Sequence, residues 1–254
     1  MQKSFKPDTS LVSAVAASPN FDERQGGAPD MILLHYTGMP TAEEALARLC
    51  NSTKVSAHYF VYEDGRILQL VPEVRRAWHA GEARWQGESD INSRSIGIEI
   101  VNLGHDLGYP DFPRVQIDAV IALCRDIIAR NAIRADRVLA HSDVAPLRKQ
   151  DPGEKFPWHL LHKKGVGHLV AQAPLTAGPA LKPSDRGEAV TMLQTMLARY
   201  GYGLPITGEF DATTAAVVVA FQRHFRPART DGIADASTVA TLRDLLAARP
   251  SNAV

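Results

Sequence analysis

Met31-Ile32-Leu33-Leu34-His35-Tyr36-Thr37-Gly38 is an apolar run that closes on polar residues and a Thr-Gly turn signal. This is the pattern of a strand buried on both faces that reaches the sheet edge at His35. Just after it, Thr41-Ala42-Glu43-Glu44 has capping-box spacing ahead of Leu46 and Leu49, which predicts a helix. Residues 56–62 and 67–71 flank Glu63-Asp64-Gly65, a turn of the type that joins hairpin strands. Ser95-Ile96-Gly97-Ile98-Glu99-Ile100-Val101 alternates strictly, with Ile96, Ile98 and Ile100 on one face and Glu99 on the other. A carboxylate in the middle of such a strand has to look into a cleft or at a partner. Ile117, Val120, Ile121, Cys124, Ile127 and Ile128 recur at helical spacing, and Val138-Leu139-Ala140-His141 reads as another short strand ending in His. Strands mixed with crossing helices predict an α/β domain over residues 1–170, a mixed central sheet flanked by helices, with an extended N-terminal arm over 1–28.

Residues 171–182 contain repeated prolines without an amphipathic period and read as a linker. Residues 183–250 change texture: Val190, Leu193 and Leu197, then Val217, Ala220 and Phe221, then Val239, Leu242, Leu245 and Leu246 predict a small domain of three helices. Gly208-Glu209-Phe210-Asp211-Ala212-Thr213-Thr214 is echoed by Gly232-Ile233-Ala234-Asp235-Ala236-Ser237-Thr238, so Asp211 and Asp235 are matched N-caps in a pseudo-repeated module.

Composition narrows the function. With 28 Lys+Arg against 28 Asp+Glu the formal net charge is zero, which supplies no field for nucleic acid or an anionic membrane. No apolar run is long enough to span a bilayer. The two cysteines, Cys50 and Cys124, read as reduced core thiols. Lys3 and Lys6 precede the short run 11–17, but Pro7 and Asp8 interrupt what an export signal would need. A cytoplasmic location is expected on these grounds, with the periplasm as the alternative if a native leader is absent from this chain.

Among nine histidines, His35 and His141 stand out because each ends an apolar strand, where side chains project into the ligand crevice of an α/β sheet. Two His and one Asp leave a tetrahedral position open, as a catalytic zinc requires for its water. Both Asp143 and Asp151 lie within reach by spacing, and the residues alone do not separate them.

Longer motifs do. His-Tyr-Thr-Gly (35–38), Ser-Ala-His-Tyr (56–59), Ala-Trp-His-Ala-Gly (77–81), Asn-x-x-Ser-Ile-Gly-Ile-Glu (92–99) and His-Ser-Asp-Val-Ala-Pro-x-Arg-Lys-x-Asp-Pro-Gly (141–153) occur in order. Together they resemble the zinc-dependent N-acetylmuramoyl-L-alanine amidases of the amidase-2 class, and within it the AmpD and AmiD branch. The tail resembles the three-helix peptidoglycan-binding module often joined to them. The resemblance implies His35, His141 and Asp151 as Zn2+ ligands, Glu99 as general base and Lys149 as the cation that steadies the oxyanion. Lys149 stands two residues from Asp151, so in an extended segment both would point to one side. Trp78 and His79 are expected to line the glycan or peptide cleft, with Tyr36 and Asn92 on its polar rim. His58 reads as a hydrogen-bonded structural residue; His105, His159, His162, His168 and His224 as structural or exposed; Phe221 and Phe225 as helical core. The implied partners are anhydro-muropeptides or murein, met by a monomer that binds no nucleic acid. A peptidoglycan recognition protein without zinc, and a zinc hydrolase of another amide, are the competing readings.

Overall fold

The computed structural model describes residues 5–51, 54–175 and 178–249. Residues 1–4 of the arm, 176 and 177 of the linker and 250 at the end of the helical segment lie outside the described residues. The strands are β1 (Ala14–Val15), β2 (Phe21–Glu23), β3 (Met31–Tyr36), β4 (Tyr59–Val61), β5 (Ile67–Gln69), β6 (Arg75–Ala77), β7 (Ser95–Ile100) and β8 (Val138–Ala140). The helices are α1 (Ala42–Cys50), α2 (Ile91–Arg94), α3 (Arg114–Asn131), α4 (His141–Val144), α5 (Trp158–His162), α6 (Glu188–Tyr200), α7 (Ala212–Phe225) and α8 (Ala236–Ala247).

Six strands form one mixed sheet in the order β1-β5-β4-β7-β3-β8, while β2 and β6 make a separate antiparallel ribbon. β3 runs parallel to both β7 and β8 and is covered on both faces, which is why its apolar run does not alternate. Ile32 and Leu34 meet Ile96, Ile98 and Ile100 under the apolar stripe of α3, whereas Met31 and Leu33 face a second core on the other side. The register places His35 opposite Glu99. Their side chains therefore share one face at the carboxyl ends of adjacent parallel strands, where open α/β sheets bind ligands.

The second core joins the two expected domains. Met31, Leu33, Leu139 and Val144 pack in one cluster with Val190, Leu193, Leu197, Phe221 and Leu242 of the helical segment. Trp85, fully buried, stands between them, edge-on to Tyr200 and Tyr202 at ring separations of 6.0 and 5.0 Å. The proline-rich stretch thus connects two units that share an interior, and the helices form a layer on the sheet. The matched caps are present: Asp211 accepts from Thr214 N–H at 2.7 Å and Asp235 from Thr238 N–H at 2.8 Å. Asp211→Ala is expected to cost about 1 kcal/mol of stability, read as a lower urea midpoint at unchanged slope; an unchanged midpoint would show the cap to be idle.

Three local expectations change. The N-terminal arm pairs with the protein: β1 adds to the sheet edge beside β5, and β2 to β6. The strand expected to end at His141 ends at Ala140, because the Asp143 carboxylate accepts Ala140 N–H at 2.8 Å and turns the chain into α4. The segment before Asp151 is not extended: Arg148 and Lys149 N–H both return to Ala145 O at 3.0 Å. Cys124 is a buried thiol, as expected, whereas Cys50, also read as a core thiol, is half-buried with its Sγ donating to Ala16 O at 3.3 Å. Among the described residues no helix is long and apolar enough to cross a membrane.

Candidate metal centre and cleft

His35 at the end of β3, His141 at the start of α4 and Asp151 in the following turn converge. His35 Nδ1 and His141 Nδ1 are 2.9 Å apart and lie 3.1 and 3.0 Å from Asp151 Oδ2. All three residues are buried. Their outer hydrogen bonds assign the tautomers. His141 Nε2–H donates to Ala80 O at 3.0 Å. Ser95 Oγ gives its proton to Ile91 O, so it accepts from His79 Nε2–H at 3.3 Å. That leaves His79 Nδ1 to accept from His35 Nε2–H at 3.0 Å. Both Nδ1 atoms are thereby turned towards the Asp151 oxygen. Burial, reinforced by His141, lowers the His35 pKa to about 4, which keeps its lone pair available at neutral pH. Burial opposes ionisation of Asp151, but His141 and His35 more than offset it and hold the carboxyl well below the usual carboxylate range. Two imidazole nitrogens and a carboxylate oxygen facing one another are a donor set that fits a metal ion, with each His oriented by an outer partner.

The fold turns Asp143 away from the donor set. Its Oδ1 accepts from Tyr202 O–H at 2.7 Å and its Oδ2 from Ala140 N–H and His224, pointing away from the donors.

Glu99 stands beside this set in a cleft of about 390 Å³ that is also lined by Tyr36, Trp78, His79, His105 and Lys149. Its Oε2 is buried without a hydrogen-bond partner among the described residues. Burial first, and the Asp151 charge second, push its pKa up to about 8, against a smaller opposing pull from Lys149. Lys149 thus reaches the cleft from a turn.

Two sequence expectations are redirected. Asn92 does not line the cleft; it is buried, and its Oδ1 accepts from His79 N–H at 3.0 Å and Ala80 N–H at 2.8 Å. It holds the segment whose Ala80 carbonyl orients His141, so it supports the donor set and not the rim. His79 lines the cleft, yet its ring nitrogens are committed to His35 and Ser95. The ring lies so close over β7 that a Cβ on Gly97 would sit 2.5 Å from it, which requires glycine there. Tyr36 and Trp78 are on the cleft as expected.

A family profile described as N-acetylmuramoyl-L-alanine amidase matches residues 25–154. The amidase AmiD of Escherichia coli is 39% identical over 241 residues, covering 85% of this chain and 82% of that protein. The chain belongs to the N-acetylmuramoyl-L-alanine amidase family. A second profile, for a peptidoglycan binding domain, matches residues 186–242. The structure of this amidase is similar to that of E. coli AmiD in complex with anhydro-N-acetylmuramic acid-L-Ala-D-gamma-Glu-L-Lys: TM-score 0.73, 35% identity, 90% of this chain and 97% of that one. It is also similar to AmpDh3 from Pseudomonas aeruginosa in complex with anhydromuramic pentapeptide, at TM-score 0.71 and 33% identity over 86% of this chain and 91% of that one.

Sequence reasoning missed His105 in this amidase. Its Nδ1 meets Tyr36 Oη at 2.9 Å and its Nε2 meets Glu154 Oε2 at 3.2 Å, which fixes Tyr36 on the cleft wall. It also missed Arg148, whose guanidinium bonds Ala80 O at 3.0 Å, the same carbonyl that orients His141. Both residues follow loops whose path no periodicity announces. His58 is structural as expected, accepting from Gly97 N–H at 2.9 Å.

Proposed function

We propose that the amidase hydrolyses the bond between 1,6-anhydro-N-acetylmuramic acid and the L-alanine of the stem peptide during peptidoglycan turnover, with zinc held by His35, His141 and Asp151. The observation that carries this reading is the register of His35 and Glu99, which sets an unpartnered carboxylate beside a three-donor site in one cleft. Two imidazoles and one carboxylate without thiolate suit zinc with a coordination position left open for reaction. Zinc, when bound, supplies a Lewis acid for the scissile carbonyl and acidifies a water.

The chain's own groups do the rest. Glu99 accepts the proton of the attacking water at a carboxylate oxygen and returns it to the departing alanine nitrogen, which must leave as an amine. Lys149, on the same cleft, places its cation against the developing oxyanion. Tyr36 and Trp78 present ring faces to the sugar or peptide, Tyr36 held by His105. His79 and Asn92 act behind the ligands. The helical module adds affinity for longer glycan. We place the reaction in the cytoplasm, a reading supported by the buried, disulfide-free Cys124 thiol; the periplasm is the alternative.

Incubation of the zinc-loaded protein with anhydro-muropeptides is expected to release free stem peptide, detected by mass spectrometry. An intact substrate overturns the proposal. Intact sacculi, assayed in parallel, separate turnover of soluble fragments from remodelling of the wall.

A further inference from the structure

α4 carries the ligand His141 but is a single turn, too short to be stable by itself. The direction of the His141 imidazole is therefore set by whatever grips α4. That grip is on Asp143, which is fully buried. One of its three donors is local, Ala140 N–H at 2.8 Å. The other two come from the helical module: Tyr202 O–H at 2.7 Å, from the turn after α6, and His224 Nδ1–H at 2.6 Å, from α7. A buried carboxylate stays where its donors are, since moving off them leaves it uncompensated. His224 cannot readily follow a shift of α4, because its ring is stacked between Trp158 at 3.7 Å and Phe225 at 3.8 Å. The adjacent Arg223 donates to Gln150 at 2.9 Å and to Glu154 at 3.3 Å, flanking Asp151. α7 thus holds the 141–154 segment on both sides of its two ligands.

We infer that Tyr202 and His224 are positioning residues of the metal centre: through Asp143 they hold α4 so that His141 Nδ1 faces His35 and Asp151. The peptidoglycan-binding-type module is then a working part of the catalytic centre as well as a binding appendage. This rests on the reading of His141 as a ligand.

The test uses the full chain as wild type, Tyr202→Phe, His224→Phe and the double variant, with Tyr200→Phe as control. His224→Phe keeps an aromatic ring in the stack and removes only the bond to Asp143. Tyr200 lies in the same interface, but its hydroxyl bonds His168 at 2.9 Å and not Asp143. The zinc dissociation constant is measured by competition with a chromophoric chelator, and near-UV circular dichroism reports the fold of each metal-free variant. Each single variant is expected to weaken zinc binding several-fold and the double variant about 10–100-fold, the usual range for groups behind metal ligands, with Tyr200→Phe within about twofold of wild type. If the double variant does not fold, the single variants decide. Folded variants that bind zinc like wild type overturn the inference, as does an equal loss in Tyr200→Phe. A wild-type chain that binds no zinc overturns the ligand reading and this inference with it.

Discussion

Glu99→Gln in the zinc-loaded protein is expected to lower kcat by about 10²–10⁴-fold, the range that a positioned proton-transfer group contributes, with a much smaller change in KM. The substitution keeps size and hydrogen-bonding capacity but removes the ability to accept a proton at pH 7. Glu99 Oε2 is buried without a partner among the described residues and lies in the cleft with the three donors, which leaves it available for proton transfer or for an ionic contact with substrate. An ionic contact would appear in KM. A kcat within a few-fold of wild type, measured by stem-peptide release, would remove Glu99 from the mechanism.

The same variant has a second readout that needs no substrate. With no cation in the donor set, burial pushes the Glu99 pKa from its ordinary 4.5 up to about 8. The folded state therefore holds a proton that the unfolded state releases between these values. Its contribution to stability is present in full below pH 4.5 and is lost as pH rises through about 8. Urea midpoints of metal-free wild type are expected to fall across this window, and Glu99→Gln to flatten that slope. A cation in the donor set reverses the trend, because positive charge favours the carboxylate that a general base requires.

Removal of the ion with a chelator is expected to abolish turnover, and zinc to restore it. Asp151→Ala is expected to weaken zinc binding by more than the roughly 100-fold upper range for groups behind the ligands, since it removes a donor itself. It also takes away the carboxylate at 3.1 and 3.0 Å from His35 and His141, leaving two imidazole Nδ1 atoms 2.9 Å apart with no third donor to share an ion. Metal content by mass spectrometry and stem-peptide release should fall together in this variant. Full turnover in exhaustively chelated protein, or unchanged zinc affinity in Asp151→Ala, would dismiss the metal centre.

Most elements were legible where a local rule governs them. The buried run of β3, the alternation of β7, the helical spacing of α3, the Thr41 cap and the Asp211 and Asp235 caps follow from periodicity and side-chain to backbone bonding within three or four residues. The expectations that failed involve bonds that apolar periodicity does not report, some of them across the chain. The arm became β1 because a partner strand lay more than 50 residues away, and His141 left its strand because Asp143 accepts the Ala140 N–H in a turn also tied to Asp151. Asn92 was read as a rim residue because a motif reports that a polar side chain sits near the site, not which way it points.

The sequence by itself determined the chemistry available: two histidines that close apolar runs, a carboxylate alone on the far face of an apolar strand, and no thiolate near them. Spacing left Asp143 and Asp151 open and the family resemblance favoured Asp151; only the tertiary structure shows why Asp143 stands outside the set. Asp143 and Asp151 are the same group two and ten residues from His141. Long-range donors, Tyr202 and His224, capture the first, while the turn carries the second to His35. Hydrogen bonds between distant segments depend on packing, and packing in this chain joins the helical module to the sheet through Trp85 and its neighbours.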